Sequence, residues 1–319
     1  MIAGSYDVVV VGGGAAGLSG ALTLARARRS VLVVDAGEPR NAPAAGVHGF
    51  LTRDGTSPAE LLAIGRDEVR GYGAEVVSGR VHAAAVDGDG FVLSLDDGRV
   101  TRARRLLVTT GLVDELPDVP GVRERWGRDV LHCPYCHGWE VRDQPIGILA
   151  SGPRAVHQAL LFRQLSADVT FFLHTVPPLT AGDAAQLAAR DITVIEGEVE
   201  ALEVTEDRLS GICLRDGRVV PLRALAVGPR FVARAEVLAS LGLEAAEHPM
   251  GIGTYVPSDR TGLTAVPGVW VAGNVADPMA QVMASAAGGA LAAGAINGDL
   301  VTDDVQLAVA ARCSGGGTA

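Results

Sequence analysis

Lysine is missing from this chain of 319 residues; all 27 of its basic residues are arginine. The gap fits a high-GC coding bias in a bacterial source and carries no functional message of its own. Basic runs are missing too, and 37 acidic residues bring the formal net charge to −10. Nucleic acid and anionic membrane surfaces, which are bound by clustered positive charge, are thereby excluded as partners. The opening MIAGSYD has no positive charge and no apolar segment, so it predicts no secretory signal. Long hydrophobic runs are also lacking. Residues 8–25 are interrupted by three consecutive glycines, and 278–298 are rich in Ala and Gly with little Leu, Ile or Phe. Neither has the hydrophobicity of a membrane span, and helices packed close to a bound cofactor account for both. Cysteine is scarce: the four present make one close pair and two scattered residues, which is no disulfide framework. The expectation is a soluble cytoplasmic protein, in whose reducing compartment a close cysteine pair is catalytic or metal-binding.

What is present is a well-filled α/β chain. Hydrophobic residues make up 48% and charged residues 20%, which excludes disorder, and the length suffices for two domains. Val8 to Val11 form an apolar run too short for a helix, so they predict a buried parallel strand. Gly12, Gly14 and Gly17 follow as GxGxxG. In such a turn the first glycine bends sharply, the second lets backbone approach a pyrophosphate, and the third permits close helix–strand packing. Leu18, Ala21, Leu22 and Ala25 then recur at helical spacing, and a second strand, Val31 to Val34, ends on Asp35. That acid is placed to accept a hydrogen bond from a ribose hydroxyl. GxGxxG alone is a weak signal; flanked by strand, helix, strand and terminal acid it is a strong one.

A related layout returns at 145–174, PIGILASGPRAVHQALLFRQLSADVTFFLH. Each unit is followed by a meander with a DG turn and a closing strand: FVLSLDDGRVTRARRLLVTTG and ICLRDGRVVPLRALAVGP. The duplication predicts two Rossmann-like dinucleotide-binding domains. A third block, VPGVWVAGNVADPMAQVMASAAGGALAAGAI, adds a strand, a Gly-Asn turn and a small-residue helix. It closes the first domain, so the expected division is 1–114 and 233–319 for that domain, with the second inserted as 115–232.

Inside the inserted stretch stands HCPYCHGWE, residues 132–140. Structural zinc wants four ligands, usually in two separated pairs. Here Cys213 and Cys313 lie far from Cys133 and Cys136, and His132 and His137 are immediate neighbours that so short a loop can hardly wrap around one ion. The reading is therefore no metal, and a redox-active dithiol. Cys213 in GICLRDG reads as a small core hydrophobe, and Cys313 in ARCSGGGTA as part of a mobile tail.

GxGxxG at the N-terminus, TTG at 109–111, CxxC in the inserted domain and AGN-V at 272–275 together resemble the low-molecular-weight thioredoxin reductases, over nearly the whole chain. The resemblance implies that the first domain holds FAD and that the inserted one is of NADPH type. Gly12, Gly14, Ala15, Ala16, Gly17 and Asp35 would hold the ADP half. Gly111, Gly273, Asn274, Gln281 and Val282 would follow the rest of the cofactor to its ring. Asn274 departs from the aspartate usual there, although an amide can still bond a ribityl hydroxyl. The resemblance also makes Cys136 the flavin-proximal sulfur and Cys133 the one that exchanges with substrate, and it implies a homodimer. Thiolate does this work, so a base is needed. His137 stands where those reductases carry an acid, and an imidazole of ordinary pKa about 6.5 suits the task. Glu140 and His132 are candidate helpers.

The second unit is more informative for what it lacks. Where GxGxxA would stand, the chain has ASGPRA at 150–155: Ala150 replaces the turn glycine, and Pro153 removes a backbone donor. The following strand ends FFLHTVPPLTAGD, with Thr175 and Val176 where the family's phosphate-binding arginine pair belongs, and no arginine before Arg190. A flavoprotein with CxxC and no nicotinamide site can run backwards. A small dithiol reduces the cysteines, they reduce FAD, and oxygen reoxidises FAD and is itself reduced to hydrogen peroxide. CPYCHGWE resembles the dithiol oxidases of gliotoxin and holomycin biosynthesis, and the lysine-free composition is compatible with an actinobacterial, holomycin-type member. One rival is a thioredoxin-disulfide reductase fed by NADPH or another donor. The other is a non-catalytic FAD-binding redox sensor. The oxidase reading expects one fixed arrangement, with CxxC at the flavin.

Overall fold

A computed structural model describes residues 4–315. Its first sheet has seven strands, with Ser5–Val11 at the centre between Val31–Asp35 and Val100–Val108, both parallel to it. Val8, Val9 and Val10 are fully buried. Each such side chain taken out of water contributes about 1.5 kcal/mol or more, which is why this run settles between two neighbours rather than at an edge. The DG-turn meander supplies the antiparallel strands Val81–Asp87 and Gly90–Leu95. Val269–Val271, more than 150 residues further on, returns to pair in parallel with Val100–Val108.

The second sheet has five parallel strands in the order Thr193–Ile195, Val169–Phe172, Ile146–Leu149, Ala224–Val227 and Val130–Leu131. Ile146, Ile148 and Phe172 are fully buried within it. The chain passes between the sheets twice, through Leu112–Glu115 and Arg230–Ala233, and these two crossings pair as an antiparallel ribbon.

The long helix Val282–Gly315 packs extensively along Ala15–Arg26. Small residues make this possible: a Cβ on Gly289 would run into the Ala16 carbonyl, and one on Gly20 would meet Leu107 at 2.5 Å. Arg104 binds Asp7, Asp303 and Asp304, which pins the far half of that helix to the sheet. The helix also corrects the reading of Cys313. Its alanine-rich sequence carries helix as far as Gly315, and Cys313 is an exposed helical residue. Cys213 is half-buried on the strand Arg208–Leu214. No helix among the described residues is long and apolar enough to cross a membrane.

Candidate active site

One cleft of about 1550 Å³ runs between the two sheets. Its walls include Gly12–Ala16, Asp35, Gly111, Asn274, Gln281 and Val282 from the first sheet's side, and His132, Cys133, Cys136 and His137 from the second. Most of the sequence-predicted residues are thus brought to one cavity; Gly17 lies beneath the turn against the Gly12 carbonyl, and the exposed Glu140 is not part of the lining.

At the glycine turn, Gly12 has φ +107°, and a Cβ there would lie 2.6 Å from the Thr109 carbonyl oxygen. Only glycine fits that bend. Thr109 donates its hydroxyl to the carbonyls of Val11 and Gly12, at 3.1 and 2.9 Å, which ties the turn to the neighbouring strand. Gly13, which the motif leaves free, proves to be required as well. A Cβ would strike the Asp35 carboxyl at 2.5 Å, whereas the bare backbone donates to its Oδ1 at 3.2 Å. Asp35 also accepts from Gly37 N at 3.1 Å, so it organises the loop besides facing the cleft. The N-terminal turn of Ala15–Arg26 has no capping side chain, and a Cβ on Gly14 would meet nothing within 4 Å. Open backbone at an uncapped helix start is the arrangement a pyrophosphate needs, so the residues present fit the ADP half of a dinucleotide.

Asn274 is more committed than its sequence position suggests. Its Nδ2 donates to the carbonyls of Asp277 and Ala280, at 3.0 and 2.8 Å, and its Oδ1 accepts from Arg40 at 3.2 Å. A single lone pair of Oδ1 is left for a ribityl hydroxyl. Arg40 is a site residue that no sequence pattern signalled. It grips Asp114 with two hydrogen bonds of 2.8 and 2.7 Å and lies 4.9 Å over the Phe231 ring, so it ties the cleft floor to both crossing strands.

The cysteines form a disulfide with Cα atoms 5.2 Å apart. Cys133 caps the short helix Pro134–His137, and Pro134 at its first position costs no backbone bond. Gly138 has to be glycine, because a Cβ would collide with Leu165 and with the Pro134 carbonyl. Gln158 donates to the His132 carbonyl at 2.7 Å and fixes the preceding residue.

The two histidines differ. Burial and the nearby Arg40 push the His132 imidazole down to about 4, and its ring meets Phe231 edge-on at 5.2 Å. It is neutral at pH 7 and a weak base. His137 is lowered less, mainly by burial, with Glu140 pulling the other way. Its Nε2 is buried and has no hydrogen-bond partner among the described residues. Glu140 in turn lies 3.4 Å from His48 Nε2, and His48 Nδ1 lies 3.4 Å from Asp54. The loop around His48 therefore reaches across from the first sheet's side to the CxxC segment.

The second unit's turn also lines the cleft, but its hydroxyl is bonded within the protein. Ser151 Oγ donates to the Gly228 carbonyl at 2.8 Å and accepts from Gly228 N at 3.2 Å. Pro153 stands 3.9 Å from where a Cβ of Gly251 would be. His174, at φ +53°, accepts from Val199 N through Nδ1 at 3.0 Å. Val176 packs against the second sheet's core, and only Thr175 of the pair is exposed.

Residues 6–294 match the family described as pyridine nucleotide-disulphide oxidoreductase. The chain belongs to this family. Within it the chain is a low-molecular-weight, thioredoxin reductase-like flavoprotein, a class that typically binds FAD. Among solved structures it is similar to HlmI, with 50% identity, 97% of each chain covered and a TM-score of 0.92. Among curated relatives it is similar to thioredoxin reductase sirT of Leptosphaeria maculans, at 30% identity over 92% of this chain and 93% of that one. It is also 36% identical to thioredoxin reductase tcpT of Claviceps purpurea over 179 residues, 52% of this chain and 54% of the relative. That match spans about half the length of tcpT.

Proposed function

We propose that this oxidoreductase is an FAD-dependent dithiol oxidase that closes an intramolecular disulfide in a small natural-product dithiol of the holomycin type. The observation that carries the reading is the pairing of two facts in one cleft. The Cys133–Cys136 disulfide opens onto the same cavity as the intact glycine cradle, while the second unit's turn, which lines that cavity too, has Ser151 bonded to Gly228 and Pro153 in place of a backbone donor. FAD would lie along Gly12, Gly14, Ala15, Ala16, Gly17, Asp35, Gly111, Gly273, Asn274, Gln281 and Val282. When bound it supplies a two-electron acceptor that oxygen can reoxidise, with hydrogen peroxide as the product.

The chain's own residues perform the thiol chemistry. His137 Nε2, buried and unpaired, takes the proton from a substrate thiol. The thiolate attacks Cys133 Sγ, forming a mixed disulfide, and Cys136 departs with the electron pair of the broken bond. The second substrate thiol, once deprotonated, attacks the substrate sulfur of that mixed disulfide. The substrate disulfide closes and Cys133 leaves as thiolate. The enzyme dithiol then holds the two electrons that left the substrate, and they are given up when Cys133 and Cys136 rejoin.

A second reading, an NADPH-fed thioredoxin reductase, is favoured by the names of sirT and tcpT. Anaerobic flavin spectroscopy separates the two. Bleaching by a simple dithiol but not by excess NADPH, with peroxide on readmitting air, is expected; bleaching by micromolar NADPH would make the protein a reductase. Cys133→Ser and Cys136→Ser should each abolish dithiol oxidation, and full activity in both would refute the scheme. The implied homodimer would cover Leu291, Val301, Val305 and Val309, which are exposed on the long helix. Light scattering at micromolar concentration checks it.

A further inference from the structure

The release step of this scheme needs a group that steadies Cys133 as it leaves. The residue in place is Gln281, whose Nε2 lies 3.9 Å from Cys133 Sγ, across the cleft between the two sheets. Gln281 directly precedes the 34-residue helix Val282–Gly315. Gly49 of the His48 loop lies near its amide oxygen: a Cβ built there would be 3.9 Å from Oε1.

We propose that Gln281 is a catalytic residue for the sulfur chemistry, donating its amide N–H to Cys133 Sγ and stabilising the thiolate. The inference rests on the exchange reading of CxxC and deepens it. In the step concerned, the second substrate thiolate forms a bond to the substrate sulfur of the mixed disulfide. The bond from that sulfur to Cys133 Sγ breaks, and the electron pair goes to Cys133, where the amide proton meets the new negative charge. No proton is transferred. A hydrogen bond to the charged form lowers a cysteine pKa, and the Gln281 amide is placed to give Cys133 one. The thiolate then persists until it closes again on Cys136.

The test uses FAD-loaded protein reduced anaerobically with dithiothreitol and pulsed with iodoacetamide across pH, each cysteine being followed by peptide mass. Gln281→Leu should raise the apparent pKa of Cys133 by about one unit, a tenfold loss of thiolate below that pKa, and leave Cys136 in place. Gln281→Glu should raise it further, and Gln281→Arg should lower it, so the two charged variants bracket the wild type even where the leucine variant retains little flavin. An unmoved Cys133 profile, or equal movement of both cysteines, overturns the proposal. Because the titration reads the reduced enzyme directly, it stands whether dithiol or NADPH proves to be the electron source; that failure would be seen in the bleaching experiment instead.

Discussion

Two copies of one strand–turn–helix unit face the same cleft, and their turns have opposite fates. At Gly12–Gly17 the chain keeps its side chains out of the way and leaves an uncapped helix start open. At Ala150–Ala155 a hydroxyl is bonded to Gly228, a proline removes a donor, and the arginine position at 176 is turned into core packing. Both units still build parallel strands with buried centres. The difference teaches that the fold survives on its apolar strands, while ligand chemistry lives in a handful of turn atoms that can be lost without cost to the sheet.

The largest expected effect comes from breaking the first turn. A Cβ at Gly17 would collide with the Gly12 carbonyl and lie 2.7 Å from Thr109 Oγ1, so Gly17→Ala should yield protein without flavin. The flavin-to-protein absorbance ratio after purification checks this. The matching change in the second unit, Ser151→Ala, should leave flavin content untouched and cost only about 1 kcal/mol of stability.

Rebuilding the second turn comes next. Ala150→Gly with Pro153→Ala and Thr175→Arg restores the bend, a backbone donor and one exposed phosphate partner. A charge-assisted hydrogen bond contributes about 1.5 kcal/mol or more, so NADPH affinity should rise on the order of tenfold or better. Titration calorimetry reads it directly. No gain would mean that the segment around Gly251, not the turn, closes the site.

A third contrast is acid sensitivity. His132, His137 and His174 all lie around the second sheet, and burial lowers all three. A folded-state pKa below the ordinary 6.5 means that the native fold prefers the neutral ring; stability is complete above about 6.5 and is lost as pH falls. For His132, lowered to about 4, the loss is about 1.4 kcal/mol per pH unit across that window. Denaturant melts from pH 7 to 4.5 should therefore show the part around the second sheet unfolding first, and His132→Asn should flatten the slope.

The fold was largely legible because its signals are local. Val8–Val11, the glycine turn, the DG meanders and the repeat at 145–174 each specify their element within a few residues. What escaped the sequence was set by contacts between distant segments. Arg40 and His48 sit in a loop without periodicity, and their roles exist only because Asp114, Asn274 and Glu140 arrive from elsewhere. Gly13 was hidden by the motif itself, which marks three glycines and leaves the one between them free. Cys313 was misread because a glycine-rich end looks like coil, while the residues before it favour helix strongly enough to carry the turn through.

The smallest effect sharpens the role of the base. Glu140 raises the His137 pKa against the burial that lowers it, and its carboxylate is itself shared with His48 across the cleft. In the proposed scheme neutral His137 is the active form, so dithiol-driven flavin reduction should rise with pH through a half-point below 6.5 and be flat above it. Glu140→Gln removes the raising influence, and the acid limb should move to still lower pH by a fraction of a unit while the plateau rate stays within about twofold, because an exposed charge acts on the imidazole only through partly screened Coulomb attraction. Stopped-flow bleaching between pH 4.5 and 8 measures both quantities. A limb that moves upward would mean that Glu140, rather than His137, accepts the substrate proton, and an unchanged limb with a collapsed plateau would assign Glu140 to holding the CxxC segment through His48.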